Sequence, residues 1–343
     1  MAYTTVNKCA DHYSTKLYSG TASSNAITGV GFQPDLVWIK DRANTYSHTL
    51  TDSMRGTSKE LYTNNTNAET VYSQGVTAFD SDGFTLGTDT GINGSGQPKV
   101  SWNWKAGTTG SGTTTGSGTG KAYSYTVNTT AGFSIVKYKG NGTSGHQIPH
   151  HLGVAPDYTI IKKFNATEDW IVQNSFSGFS NRLIMNGVNS EASHTDFISS
   201  VSSTTFSLYT NGSVNTNDGD YVAYCFAEKR GYSKVGRYTG AGSSKPYIYT
   251  GFKPKFILLK CNSDTADWQL FDDKRDGYNP DNDYLHPNSS NAEGTSDNLE
   301  IYSNGFKITD NDSWGWNKNT ATYLWFAIGQ TMVGSNNTPC TAR

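Results

Sequence analysis

The sequence has few charged residues and no long apolar run. Of its 343 residues only 16% are charged, the formal net charge is −2, and no block of like charges occurs. A nucleic-acid-binding protein needs a basic stripe to neutralise phosphates, so this composition argues against that class. No stretch approaches the roughly 18 apolar residues that cross a bilayer, and the first residues lack a basic region followed by an apolar one. The sequence therefore predicts a protein without membrane insertion and without a secretory signal.

Metal-binding residues are also scarce. The four cysteines stand in unrelated positions, at Cys9, Cys225, Cys261 and Cys340. No Cys-x-x-Cys pair or Cys/His cluster has zinc-ligand spacing, so we expect free thiols made in a reducing cytoplasm. The histidines His146, His150 and His151 cluster without a carboxylate or thiol at ligand spacing, which favours an exposed turn over a metal site. We predict no metal and no cofactor.

The chain is rich in glycine and tyrosine, and it repeats one pattern three times. Each copy has a Tyr-x-Gly turn, a Gly-x-x-Pro turn before an apolar strand, an acidic loop, a Phe-x-Leu/Ile strand and an aromatic closing strand. From the first copy to the second, both Pro34 to Pro156 and Glu69 to Glu191 are offset by 122 (156−34, 191−69). From the second to the third the offsets are 98 at the prolines (254−156) and 102 at the glutamates (293−191). Units of about 100 residues predict self-sufficient domains, each with its own core.

The apolar segments are short, rich in β-branched and aromatic residues, and bounded by Gly, Asn, Asp or Ser, which is typical of strands. We therefore expect an all-β fold of three tandem β-sandwich domains, of jelly-roll or lectin-like type. The segments Tyr158–Ile161 and Phe256–Leu259 are apolar at consecutive positions, which indicates strands covered on both faces or packed against a neighbouring domain. The repeated proline is expected to set the entry of the strand that follows it.

The predicted domain boundaries are 1–107 for the first sandwich, 122–229 for the second, and 230–343 for the third with a C-terminal tail. Between the first two lies 108–121, a Gly/Ser/Thr tract with almost no side chain to pack, which predicts a flexible linker. The short passage at 228–232 predicts close stacking of the second and third sandwiches. We therefore expect relative motion mainly at the first junction.

No catalytic group is predicted. Carboxylate pairs such as Asp272-Asp273 are not repeated between copies, so solvated loops are preferred to an acid/base pair. A nucleophile elbow or phosphate loop in a usable setting is absent. The protein is expected not to be an enzyme.

One acidic side chain does recur in all three copies, as Glu69, Glu191 and Glu293. The upstream arginines Arg55, Arg182 and Arg275 are candidate partners, although Arg182 lies 127 positions after Arg55 (182−55) and so departs from the 122 offset. Two interpretations stay open for the glutamates, namely ligand binding and a loop-fixing hydrogen bond or ion pair.

Two groups of tryptophans have different expected roles. Trp170 and Trp268 are predicted to begin the strand after the acidic loop and to cap the core. Trp314 and Trp316 stand in a polar loop, 310–317, that is unique to the third copy, where flat rings suit sugar stacking or protein contact. The predicted ligand-binding residues are therefore Trp314, Trp316 and Glu293.

Several segments resemble a repeated domain common in tailed phages of marine bacteria. The similarity is carried by 33–40, 52–56, 81–87, 102–107 and 131–156, and it extends over nearly the whole chain. The resemblance implies a virion structural protein, often described as tail-fibre-like or lectin-like, with no catalytic residues to transfer. The chain departs from that pattern at His150-His151, where the family often has His-Gly. It also departs at Ile328-Gly329, which suggests that the end of the array contacts something other than another repeat.

On this resemblance we expect a tail fibre or appendage component that contributes to host attachment without enzymatic activity. The first copy would be the anchoring end and the third copy the distal end. The alternatives are a capsid decoration or tail-scaffold protein with only protein–protein contacts, and a polysaccharide-degrading tail enzyme. The expected partners are other virion structural proteins, a host surface glycan or protein, and further copies of the chain, because appendages follow tail symmetry. The expected location is the virion tail or another external appendage, after synthesis in the host cytoplasm.

Overall fold

In the computed structural model, which describes residues 4–178, 180–275, 279 and 281–330, the chain is almost entirely strand and turn. The helical elements in that part are a 3₁₀ turn at Cys9–Asp11 and two short helices, α1 (Thr90–Asn93) and α2 (Gly212–Asn215). Of the helices among these residues, none has the length and apolar character to span a bilayer. The predicted all-β class is confirmed.

The strands form three two-sheet sandwiches in chain order. The first comprises β1 (Tyr13–Ser19), β2 (Asn25–Ile27), β3 (Leu36–Asp41), β4 (Thr49–Asp52), β5 (Lys59–Tyr62), β6 (Thr70–Val71), β7 (Val76–Asp80), β8 (Gly83–Leu86) and β9 (Pro98–Trp104). The second comprises β10 (Thr108–Thr113), β11 (Thr115–Gly116), β12 (Ala122–Asn128), β13 (Phe133–Lys139), β14 (His146–Pro149), β15 (Tyr158–Lys163), β16 (Trp170–Asn174), β17 (Asn181–Ile184), β18 (Ala192–Ser193), β19 (Ile198–Val201), β20 (Thr205–Leu208) and β21 (Asp220–Phe226). The third comprises β22 (Ser233–Thr239), β23 (Tyr247–Tyr249), β24 (Lys253–Cys261), β25 (Trp268–Asp272), β26 (Asp281–Tyr284), β27 (Gly294–Tyr302), β28 (Gly305–Ile308) and β29 (Thr322–Gln330).

Each sandwich has a large and a small antiparallel sheet with a shared strand order. The large sheets are β1-β9-β3-β4-β5-β6, β10-β12-β13-β21-β15-β16-β17-β18 and β22-β29-β24-β25. The small sheets are β2-β8-β7, β11-β14-β20-β19 and β23-β28-β27-β26. In every copy the aromatic closing strand lies inside the large sheet, between the opening strand and the strand at the repeated proline. Pro34 and Pro156 precede that strand as predicted, whereas Pro254 lies within β24 beside a register shift.

Each large sheet buries one face against the small sheet of its own sandwich. In the first sandwich this core joins Val37 and Ile39 of β3 to Phe84 of β8. Phe206 and Phe306 occupy the corresponding cores of the second and third sandwiches, and all three phenylalanines are fully buried. The Phe-x-Leu/Ile strand therefore has the same environment in every copy.

The opposite faces of the three large sheets pack against one another. One apolar cluster contains Leu36 of β3, Tyr158 of β15 and Phe256 of β24, together with aromatic residues from all three closing strands. Their strand neighbours face the individual sandwich cores, since Ile161 lies in the second core and Ile257 in the third. The prediction of strands covered on both faces is confirmed, and the cover on one face is the neighbouring sandwich.

The three sandwiches contact one another head to tail in a closed arrangement. An equivalent backbone hydrogen bond, donated by the repeated glutamate, occurs at each of the three boundaries. The bonds run from Glu69 N to Phe164 O at 2.7 Å, from Glu191 N to Asn262 O at 2.8 Å, and from Glu293 N to Arg42 O at 2.8 Å. The acceptor positions keep the repeat offsets (164−42 = 122, 262−164 = 98). Because the third bond returns to the first sandwich, the repeats are related by a pseudo-three-fold arrangement.

This closure corrects the expectation of a linear array with a distal third copy, whereas anchoring through the first copy stays a prediction. The Cys9 backbone N–H donates to Gln330 Oε1 at 2.7 Å, so the start of the first sandwich meets the end of the third. Ile328, where the departure from the family pattern suggested a different contact, lies in the apolar cluster shared by the sandwiches. The end of the third repeat therefore contacts another repeat.

The prediction of a flexible linker at 108–121 is also corrected. Most of this Gly/Ser/Thr tract forms β10, which pairs with β12, and β11, which pairs with β14. Gly110 and Gly112 lie opposite Tyr125 and Tyr123, and a Cβ at Gly110 would lie 2.6 Å from the Tyr125 hydroxyl oxygen. Glycine leaves room for these rings to lie across the neighbouring strand. The tract belongs to the second sandwich and adds strands to both of its sheets.

Candidate recognition site

The structure separates the two predicted loop tryptophans. Trp316 is 7% exposed, and its ring centroid lies 5.2 Å from that of Phe271 and 5.4 Å from that of Tyr284 in the third sandwich core. Its assignment to a ligand site is therefore corrected to a core role. Trp314 is 48% exposed, with the Lys318 ammonium 5.2 Å from its ring centroid. The exposed setting expected of the loop holds for Trp314, and its part in binding stays a prediction.

Glu293 lies at the boundary of the third and first sandwiches with its carboxylate occupied by two arginines. Arg42 Nε is 3.0 Å from both carboxylate oxygens, and Arg42 Nη2 donates to Oε1 at 2.7 Å. Arg275 Nη1 donates to the other oxygen, Oε2, at 2.9 Å. Of the two open interpretations, the ion pair is the one observed. Glu293 is corrected from a ligand-binding residue to a residue that joins two sandwiches.

The other two repeated glutamates show how the copies diverge. Glu69 pairs with Arg55 at 2.9 Å, as expected. The second copy has no arginine at the equivalent position, because 55 + 122 is 177, a serine. Arg237 of the third sandwich instead donates to both Ser177 Oγ and Glu191 Oε2 at 3.0 Å. The expected arginine partner is thus correct in the first and third copies and wrong for Arg182.

Two buried carboxylates next to these arginines connect the sandwiches. The sequence favoured a solvated loop for Asp272, yet both it and its equivalent Asp52 are fully buried. Asp272 Oδ2 accepts hydrogen bonds from Arg275 Nε at 2.6 Å and from Trp102 Nε1 at 3.0 Å. Asp52 Oδ2 accepts from Arg55 Nε at 2.6 Å and from the Tyr224 hydroxyl at 2.8 Å. Trp102 and Tyr224 come from a neighbouring sandwich, so each carboxylate joins two repeats.

A third set of contacts uses the first residue of β16 and β25. Trp170 and Trp268 begin these strands and are buried, as predicted. Their indole N–H groups donate at 2.9 Å to the carbonyls of Tyr62 and Ile184 in the preceding sandwich. In the first copy the equivalent residue is His48, which accepts from Trp38 Nε1 at 3.0 Å. Burial lowers the pKa of His48 well below its usual value, which favours the form whose Nδ1 accepts this hydrogen bond.

The histidine cluster in the second sandwich is a set of hydrogen-bonded residues. His146 is buried, and its two ring nitrogens contact Asn215 Oδ1 at 3.0 Å and Thr114 Oγ1 at 2.6 Å. His150 is also buried, which corrects the expectation of an exposed turn. Within the described residues no group of three potential metal ligands occurs. Cys9, Cys225 and Cys261 are free, as expected, and all three are buried, while Cys340 lies outside the described residues.

Each repeat also buries a lysine at one equivalent position, at Lys40, Lys162 and Lys260, and two of them reach across a boundary. Lys162 Nζ donates to Thr66 O of the first sandwich at 2.9 Å, and Lys260 Nζ donates to Val188 O of the second at 3.0 Å. Burial is the main cause that lowers the pKa of each of these three lysines to about 8.

We expect this burial to make part of the stability depend on pH. Between pH 8 and 10.5 the unfolded chain holds a proton on Lys162 that the folded chain has released, so the contribution to the free energy of unfolding rises with pH across that window. The measurement is urea unfolding at pH 8 and pH 10. The free energy of unfolding of the wild type minus that of Lys162→Met should be more positive at pH 10. Lys245→Met, which removes an exposed ammonium, controls for the lost charge. A difference that shrinks or stays constant would contradict the prediction.

Sequence reasoning missed an exposed cluster of Tyr247, Tyr249 and Tyr302, here called the tyrosine patch. The three side chains are 46%, 57% and 37% exposed on the small sheet of the third sandwich. Tyr247 and Tyr249 flank the inward-facing Ile248 on β23, so both lie on the outer face. The signal in the sequence was this alternation, Tyr-Ile-Tyr, after Pro246.

The register of the small sheet brings the patch together. Tyr249 and Tyr302 both pair with Gly305 on the strand between them, so no side chain separates the two rings. The centroids of Tyr247 and Tyr302 are 5.6 Å apart in an edge-to-face arrangement, and the Lys234 ammonium lies 5.6 Å from the Tyr249 centroid. The result is an aromatic surface edged by charged and amide groups. Such a surface binds flat apolar faces and accepts hydrogen bonds at its rim.

The patch is a specialisation of the third repeat. At the register position of Tyr247, which pairs with Lys307, the first sandwich has Ala26 paired with Thr85 and the second has Gln147 paired with Ser207. The same scaffold therefore carries three different outer faces.

A family model described as a domain of unknown function, DUF7483, matches residues 8–331. The chain belongs to this family. The match runs from before β1 to the end of β29, so the matched region includes all three sandwiches. Comparison with curated proteins and with solved structures gives no significant match.

Proposed function

We propose that the protein is a non-enzymatic structural component of a phage virion, in a tail fibre or another external appendage, and that it contributes to attachment to the host surface. The tyrosine patch carries this proposal. Its ligand would be a host surface glycan or protein that presents a flat apolar face. Further copies of the chain and other virion proteins are the proposed partners elsewhere on its surface.

The polar network between the sandwiches supports a binding role, because it fixes the sandwiches to one another and so gives the tyrosine patch a rigid support. The buried acids, arginines and lysines described above hold the three sandwiches together, with their charged atoms directed at one another and at backbone carbonyls. Tyrosine gives large contact area with few rotatable bonds, so a rigid scaffold lowers the entropy lost on binding.

The experiment is a cell-binding assay with the labelled full-length chain and the bacterium that its virus infects. We expect binding by the wild type and at least about tenfold weaker binding when Tyr247, Tyr249 and Tyr302 are changed together to serine, since loss of a central aromatic contact costs more than about 1.4 kcal/mol. Tyr72→Ser is the matched control, because Tyr72 is an exposed tyrosine of the first sandwich. It should bind as the wild type does.

Three results would overturn the proposal. Equal cell binding by the patch variant and the Tyr72 control would remove the patch from attachment. Absence of cell binding by the wild type, together with its incorporation into virus particles, would favour the capsid-decoration or tail-scaffold alternative. Release of reducing ends from host envelope polysaccharide by the purified chain would favour the enzyme alternative.

A further inference from the structure

A second surface, independent of the tyrosine patch, lies where the third sandwich meets the first. A cleft of about 550 Å³ is open at this boundary, within the size range of small-molecule sites. The first sandwich contributes the 3₁₀ turn, β1 and the glycine turn at 29–31, and the third contributes Lys255 and Lys274.

Charge is concentrated in this cleft. Its lining includes four lysines, Lys8, Lys16, Lys255 and Lys274, and two aspartates, Asp11 and Asp273. The lining thus carries a formal charge of +2 (4 − 2), although the chain as a whole carries −2. Asp273 is 3.5 Å from Lys255, and Asp11 is 3.3 Å from Lys8. Among the described residues, neither Lys16 nor Lys274 has a carboxylate oxygen within the 4.0 Å of an ion pair.

Comparison of the repeats shows that the lysines contributed by the third sandwich, Lys255 and Lys274, are specific to that copy. Lys255 occupies the position of Asp157 and Asp35 in the other copies (255−98, 157−122). Those aspartates bind the chain as it leaves the sandwich, because Asp35 accepts from Ala106 N at 2.7 Å and Asp157 accepts from Glu228 N at 2.8 Å. In the third copy the aspartate is replaced by lysine, and the equivalents of Ser53 and Met54 are Asp273 and Lys274.

We propose that this cleft binds a monosaccharide unit that carries a carboxylate or a sulfate. The ammonium groups of Lys16, Lys255 and Lys274 would hold the oxyanion. The carboxylates of Asp11 and Asp273 repel a bare anion but accept hydrogen bonds from sugar hydroxyls. Ser14 adds a hydroxyl group on the β1 wall, where the Thr15 hydroxyl is already hydrogen-bonded to that of Tyr13 at 2.8 Å. A ligand with both an oxyanion and hydroxyl groups matches this lining better than either an inorganic anion or a neutral sugar.

The test is calorimetric titration of the full-length protein with glucuronic acid, N-acetylglucosamine 6-sulfate, glucose and inorganic sulfate. We expect both acidic sugars to bind, and to bind more weakly as salt rises from 50 to 500 mM, because exposed charge interactions are screened. Glucose and inorganic sulfate should each bind at least about tenfold more weakly, since each supplies only one of the two types of contact.

Three variants examine the site. Lys16→Gln and the double variant Lys16→Gln/Lys255→Gln should weaken binding of both acidic sugars, the double variant by more. Lys245→Gln, an exposed lysine outside the cleft, is the matched control and should leave the affinity unchanged.

Unfolding curves for all variants establish that the fold is kept, and Lys16→Gln breaks no ion pair among the described residues. Equal binding of glucose and glucuronic acid, equal binding of sulfate and N-acetylglucosamine 6-sulfate, or unchanged affinity in the double variant would each overturn the proposal. Because no residue of the tyrosine patch takes part, the cell-binding result and this one are independent.

Discussion

Asp272→Asn is expected to lower the free energy of unfolding by about 3 kcal/mol, because it leaves a buried guanidinium without its closest partner. Asp272 accepts from Arg275 Nε at 2.6 Å and from Trp102 of the first sandwich at 3.0 Å. Glu293 would still face Arg275, which places the effect at the lower end of the range for a broken buried pair. The measurement is urea unfolding at neutral pH.

The second repeat supplies the matched control for this prediction. There the equivalents of Asp272 and Arg275 are Asn174 and Ser177 (272−98, 275−98), a neutral pair in the same turn. Asn174 Oδ1 accepts from Ser177 N at 2.9 Å, and Asp272 Oδ1 accepts from Arg275 N at 3.0 Å. Asp272→Asn/Arg275→Ser should therefore be more stable than Asp272→Asn alone. A double variant at least as unstable as the sum of its single variants would show that no unpaired buried charge was involved.

Phe256→Ala should lower the free energy of unfolding by about as much as Asp272→Asn does. The three sandwiches of this variant should still unfold together. Phe256 belongs to the third sandwich, yet its ring contacts Tyr13, Trp102 and Trp104 of the first, with centroid distances of 5.9, 6.5 and 5.4 Å. Removal of a buried phenylalanine ring costs about 3–5 kcal/mol. Because the cluster is shared, we expect a single transition that tryptophan fluorescence and far-UV circular dichroism report at the same urea concentration.

Phe176→Ala is the control for that experiment, because Phe176 is an exposed phenylalanine of the second sandwich. It should unfold at the wild-type midpoint. Separate transitions in the wild type, or a Phe256 variant that melts only the third sandwich, would mean that the shared cluster does not couple the repeats.

The internal structure of each sandwich could be predicted because it depends on short-range pattern. Two-residue alternation and turn residues identify strands, and the repeat offset identifies equivalent positions such as Phe84 and Phe206. The consecutive apolar residues at Tyr158–Ile161 predicted a strand covered on both faces or packed against a neighbouring domain. What these signals lack is the identity of the neighbour, since a sequence shows that a face is apolar and not what covers it.

The errors have the same origin. The glycines of 108–121 suggested a linker because they have no side chains to pack, but here that absence makes room for Tyr123 and Tyr125 of the next strand. Trp316 was expected at the surface because its neighbours in sequence are polar, whereas its packing partners Phe271 and Tyr284 lie about 30 to 45 positions away (316−271, 316−284). The tyrosine patch escaped notice because it forms only when three strands are brought into register.

Closure also limits how this architecture can grow. In solenoids each repeat stacks on the last, so copies can be gained or lost at either end. Here the first repeat occupies the contact surface of the third, as the Glu293–Arg42 bond shows. No contact surface is therefore left for a fourth unit. A head-to-tail interface whose rotation closes has one permitted copy number. Diversity in such a protein must come from the outer faces, and the substitution of Ala26, Gln147 and Tyr247 at one position is that kind of change.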